Sequence, residues 1–109
     1  MATNVTEIES IIQNFIDHIQ KEKHISKVYL YGSHAKGFAG KWSDIDIAVV
    51  SPDFSPDLLQ ERIRLMKLAI RVDDRIEPSP FRPEDFTQDN PLVHEIYESG
   101  IEIDIKDAA

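Results

Sequence analysis

The stretch GSHAKGFAGKWSDIDIAVV, Gly32 to Val50, decides how the chain folds. It reads as a strand end, a tight Gly-Ser turn, a short helix or loop, and a second strand that carries two carboxylates. Ten residues separate Gly32-Ser33 from Asp44-Ile45-Asp46. Successive side chains of a strand point to opposite faces, so Asp44 and Asp46 share one face and Ile45 and Ile47 the other. Two residues along a strand is about 6.6 Å between Cα atoms. Flexible carboxylates at that spacing can converge on a pair of divalent cations. Close carboxylates repel and raise one pKa, and a bound dication reverses this. Mg²⁺ suits the role because it takes carboxylate, phosphate and water oxygens. Gly32 lets backbone approach a ligand closely, and Ser33 with the amides after it can face a phosphate.

With 109 residues and 41% hydrophobic content, the chain is expected to form one domain, residues 1–109. No apolar run approaches the length of a membrane span, and the N-terminal segment lacks the pattern of a secretory signal. There is no cysteine, which removes disulfides, thiolate metal sites and cysteine nucleophiles. These features predict a cytoplasmic protein. The net charge of −8 argues against a broad phosphate-backbone footprint, so no direct nucleic-acid contact is expected.

Outside the central stretch the periodicities are clear. Ile8, Ile11, Ile12, Phe15 and Ile19 predict a helix from about Val5 to Lys21, capped by Asn4 with Glu7 at the third helical position. Lys27 to Tyr31 predicts the strand that feeds Gly32, and Asp44 to Val50 the strand after it. Ser55 as cap and Pro56 as first residue predict a helix whose buried stripe is Leu59, Ile63, Met66 and Ile70. Gln60, Glu61, Arg62, Arg64 and Lys67 are expected in solvent. Arg75 to Ser79 predicts a short strand near an edge because of Pro78 and Pro80. Pro83 to Phe86 reads as a single turn. Asn90 and Pro91 open a helix that Gly100 ends in the left-handed position, and Ile101, Ile103 and Ile105 predict a half-exposed last strand. The whole is an α/β (α+β) domain with a small mixed sheet of about four strands. An uncovered apolar patch, which would mark a partner surface, is expected on the first helix or the last strand.

A two-metal phosphoryl-transfer site needs a further acidic group near the attacking oxygen. Glu77, opposite Ile76 on its strand, is the first choice, and Asp74 in the preceding loop is the alternative. Gly32-Ser33, ten residues, then Asp44-x-Asp46 resembles the signature of the DNA polymerase beta-like nucleotidyltransferase superfamily. Gly32 to Gly37 and the segment Asn90-Pro91-Leu92 to Gly100-Ile101 are similar to its minimal members. Two positions differ from many relatives, Lys36 for Arg and Glu77 for Asp.

The resemblance implies the nucleotidyltransferase fold and transfer of a nucleoside monophosphate, AMP from ATP, to a hydroxyl. It implies Asp44, Asp46 and Glu77 as ligands of two Mg²⁺ ions. Gly32 and Ser33 would hold the terminal phosphates, and Lys36 would neutralise the leaving pyrophosphate. Minimal members resemble antitoxins whose partner is a helical HEPN-type toxin, silenced by adenylylation of a tyrosine. Two other functions stay open: a non-catalytic module that masks its partner, and a small-molecule transferase of the aminoglycoside type. His34 is expected as an exposed loop histidine, and Ser33 has no His/Asp arrangement for a nucleophile. Trp42 is read as either a pocket or partner residue or as packing over the strand start. Tyr29 and Tyr31 are read as core and rim.

Overall fold

The computed structural model describes residues 5–106. The elements are α1 (Val5–Gln20), β1 (Lys27–Tyr31), α2 (Ser33–Lys36), β2 (Ile45–Val50), α3 (Leu58–Val72), β3 (Ile76–Phe81), a 3-10 turn (Pro83–Asp85), α4 (Pro91–Ser99) and β4 (Ile101–Ile103). The strands form one mixed sheet in the order β3-β2-β1-β4. β1 runs antiparallel to β2 and β4, and β2 runs parallel to β3. The expected α/β class and four-strand mixed sheet are therefore what the chain forms. No helix among the described residues is long and apolar enough to cross a membrane. The expected cap Asn4 lies outside the described residues.

Strand alternation divides the core in two. Val28, Leu30, Ile45, Ile47, Val49 and Ile76 face one side, where Ile8, Ile12, Phe15, Ile16 and Ile19 of α1 and Leu65 and Ala69 of α3 cover them. Tyr29, Tyr31, Ala48, Val50 and Phe81 face the other side, with Phe86 and with Val93 and Ile96 of α4. The stacked pair Tyr29–Phe86, with ring centroids 5.4 Å apart, and the edge contact Phe81–Phe86 at 5.2 Å close this second layer.

The buried stripe of α3 is not the expected one. Leu59, Ile63, Met66 and Ile70 are 70%, 38%, 39% and 71% exposed, whereas Glu61, Leu65 and Ala69 are buried. The helix carries two apolar stripes, and periodicity alone cannot choose between them. The choice follows from Glu61, read as solvated but only 1% exposed. Its carboxylate accepts from Ser55 N at 2.7 Å and lies 3.6 Å from Lys23 and 3.4 Å from Arg64. A satisfied carboxylate can enter the core, where an unpaired one could not. The cap also shifts: Asp57, rather than Ser55, accepts from Gln60 N, and the helix begins at Leu58.

Smaller corrections concern boundaries. β2 begins at Ile45 rather than Asp44, and β3 extends to Phe81 despite its prolines. β3 is an edge strand, so one alternating set of its N–H groups has no partner to lose. Asn90 caps α4 as expected, accepting from Leu92 N at 2.9 Å. Gly100, however, is extended (φ −76°, ψ 160°) rather than left-handed. Its glycine answers a different need, since a Cβ there would meet Ile96 O at 2.5 Å. Among the described residues the exposed large apolar side chains form a row on α3, with Phe38, Trp42, Tyr97 and, on β4, Ile101 elsewhere; none lies on α1.

Candidate functional site

Register places Tyr31, Asp46 and Glu77 in one row across β1, β2 and β3. By alternation the row lies on the α4 side of the sheet. Tyr31 Oη reaches across to Ser79 Oγ at 3.0 Å, which ties β1 to β3 over the intervening strand. Asp44 is exposed just ahead of β2, two residues from half-buried Asp46. Arg75 fixes the loop before β2: its guanidinium grips Asp73 at 3.0 and 2.9 Å and donates to Lys41 O at 3.0 Å. This fork holds the Asp73 carboxyl below its ordinary range.

Gly32 is the residue that lets the turn and the carboxylate meet. It has φ 73° and ψ −149°, a region essentially restricted to glycine. A Cβ there would overlap Asp46 Oδ2 and stand 3.1 Å from Asp46 Cγ. The Asp46 carboxylate thus lies directly on the Gly32 backbone. α2 follows at once. Lys36 N bonds Gly32 O at 3.1 Å and Phe38 N bonds Ser33 O at 2.9 Å, so the turn's own hydrogen bonds begin at Lys36. The amides ahead of it, Ser33 to Ala35, precede the first intrahelical bond.

The electrostatics of the cradle are anionic. Burial raises the Asp46 pKa, the negative charges of Asp44 and Glu77 raise it further, His34 opposes them, and Glu95 adds to the rise. Lys36 is engaged with Glu95 at 3.2 Å, and Glu77 lies 3.6 Å from Arg62. The three carboxylates are electrostatic neighbours, yet no group of three His, Cys, Asp or Glu side chains among the described residues forms a ready metal cage. Asp46 is the acid seated on the turn, Glu95 reaches α2 through Lys36, and Glu77 is held toward Arg62.

Several participants were not legible in the sequence. His34, expected in an exposed loop, is half-buried on α2, and its Nε2 is buried without a hydrogen-bond partner. Glu95 on α4 and Arg62 on α3 enter from distant segments, and only tertiary structure brings them here. Its place two residues after Gly32 was the one available signal for His34. Trp42 and Phe38 are each 80% exposed on the loop between α2 and β2, and Lys41 Nζ stands 5.1 Å from the Trp42 ring. Packing over the strand start is therefore not the role of Trp42.

Comparison with solved structures gives the same fold. A toxin–antitoxin complex with AMP-PNP matches with TM-score 0.63 and 23% identity, over 90% of this chain and 73% of that one. A mutant MntA–HpeT toxin–antitoxin complex matches with TM-score 0.56 and 25% identity, over 95% and 74%. A tri-AMPylated Shewanella oneidensis HEPN toxin in complex with MNT antitoxin matches with TM-score 0.57 and 23% identity, over 93% and 72%. No curated protein matches the sequence. The family model described as a nucleotidyltransferase domain matches residues 12–103. With the match spanning most of the chain, and with Gly32 laid against Asp46 of β2, the chain belongs to the nucleotidyltransferase domain family.

Proposed function

We propose that the chain, as one minimal domain over residues 1–109, transfers AMP from ATP to a tyrosine hydroxyl of a HEPN-type toxin and thereby acts as its antitoxin. The observation that carries this reading is Asp46 seated on Cβ-free Gly32, with Asp44 and Glu77 raising its pKa. Like charges crowded at a backbone cradle call for a cation. Oxygen donors of this kind fit Mg²⁺, and Asp44, Asp46 and Glu77 are the residues that would hold two such ions. Bound Mg²⁺ would neutralise phosphate charge and acidify the incoming hydroxyl.

The chain's own groups supply the rest. Ser33 and the amides after Gly32 bind the terminal phosphates. The unpartnered His34 Nε2 offers one more polar contact beside Asp46. Lys36, released from its surface pair with Glu95, balances charge on pyrophosphate. In the reaction the acceptor oxygen bonds to the α-phosphorus and the bond to the bridging oxygen breaks. Pyrophosphate leaves, and the hydroxyl proton passes to solvent. Positioning and charge stabilisation provide most of the acceleration.

The partner assignment is supported by the likeness to toxin–antitoxin complexes, one with AMP-PNP and one with an AMPylated HEPN toxin. Incubation with α-labelled ATP, Mg²⁺ and a HEPN-type partner tests it. The expected result is label on a partner tyrosine, lost on chelation. Label on an aminoglycoside alone would overturn the acceptor. Neutralisation of the partner by Asp44→Asn/Asp46→Asn as well as by wild type would show masking instead of catalysis.

A further inference from the structure

We infer that the outer face of α3 is a docking surface for an amphipathic partner helix that carries acidic residues beside its apolar seam. Leu59, Ile63, Met66 and Ile70 are spaced 4, 3 and 4 residues apart, the d-a-d-a order of a coiled-coil seam. All four are exposed, while the opposite face of the same helix packs into the core through Leu65 and Ala69. The seam is about 16 Å long, three turns of helix. Leu59 and Ile70 are 70% and 71% exposed and Ile63 and Met66 still 38% and 39%, and an aligned apolar row left in water marks an interface.

Charge selects the occupant. The chain has net charge −8, yet α3 exposes Arg62, Arg64, Lys67 and Arg71 and no acid, because its one carboxylate, Glu61, is buried. Arg62 and Lys67 fall at the g and e positions that flank the seam, where coiled coils choose partners by charge. A second copy would set Lys67 against Arg62 in a parallel pair, and Arg62 on Arg62 and Lys67 on Lys67 in an antiparallel one. Either arrangement juxtaposes like charges, which is costly at an interface. A helix with Glu or Asp at its flanking positions satisfies both cations. Arg62 also lies 3.6 Å from Glu77, so the partner would lie alongside the edge of the acidic row.

The surface needs neither nucleotide nor transfer, so it is tested without them. The probes are two labelled helical peptides about three heptads long, each with a Leu/Ile seam, one flanked by Glu and one by Lys. Binding to the full chain is read by fluorescence anisotropy, with circular dichroism as the check on folding. The Glu peptide is expected to bind at least about tenfold more tightly than the Lys peptide, and the preference should shrink at about 0.5 M salt. Ile63→Glu/Ile70→Glu should abolish binding without loss of helix. Arg62→Glu/Lys67→Glu should reverse the preference. No binding of the Glu peptide, equal binding of both peptides, or binding that survives Ile63→Glu/Ile70→Glu would overturn the inference. So would a sedimentation profile showing a homodimer that these substitutions dissociate.

Discussion

Replacing Gly32 by alanine tests the geometry on which the site depends. The backbone there, φ 73° and ψ −149°, costs a residue with a Cβ about 1–3 kcal/mol. The new methyl group also overlaps the Asp46 carboxylate, which must leave its rotamer at a further cost of about 1 kcal/mol. Gly32→Ala should therefore lose about 2–4 kcal/mol of stability in urea unfolding. The carboxylate retreats by roughly 1 Å to reach ordinary contact distance, and a misplacement of that size costs on the order of 100-fold in rate. Gly37 provides the control. It too has positive φ, 82°, but a Cβ there meets nothing within 4 Å. Gly37→Ala should cost about 1 kcal/mol and leave Mg-ATP binding intact. The assays are urea unfolding and calorimetric titration with Mg-ATP, at a temperature where both variants are folded. If Gly32→Ala and Gly37→Ala behave alike in both, the contact between the turn and Asp46 is not what positions the site.

Glu61→Ala strips Ser55 N of its acceptor and should destabilise by about 1–3 kcal/mol. Glu61→Gln, which keeps an acceptor for Ser55 N, should cost less than Glu61→Ala. Asp73 is held ionised by the Arg75 fork, so its contribution is present above the unfolded carboxyl pKa near 4 and lost as pH falls through the lower folded value. Asp73→Asn should remove about 1 kcal/mol at pH 7 and flatten the acid limb of a urea series; an unchanged limb would contradict this. The Asp46 pKa is raised, so its ionisation weakens the fold as pH rises from the unfolded value to the folded one. Asp44→Asn should bring the Asp46 titration, followed by carboxyl ¹³C shifts, back toward the ordinary Asp range.

The sheet, its element order and the Gly-Ser turn were legible because each rests on a local signal: β-formers along Val28 to Tyr31, a mostly apolar run in Ile45 to Val50, and glycine at the strand end. The side of Asp46 was legible for the same reason, since alternation along β2 fixes it, whereas Asp44 lies just ahead of the strand. α3 was misread because its apolar residues make two valid stripes. The arbiter, Glu61, enters the core with the help of Ser55 and Lys23, contacts that no periodicity encodes. Gly100 was misread because a glycine after a helix suits either a left-handed residue or a crowded extended one. The crowding comes from Ile96. The partners of the predicted site, Arg62 with Glu77 and Glu95 with Lys36, join segments far apart in sequence and become visible only when the sheet and α4 are assembled.

Calorimetric titration of Mg-ATP into wild type and into Asp44→Asn/Asp46→Asn decides whether these aspartates hold the nucleotide, with matched urea curves to establish that both proteins are folded. Paired aspartates against the Gly32 turn predict saturable binding by wild type and none by the double variant. Equal affinity in the two proteins would contradict the account.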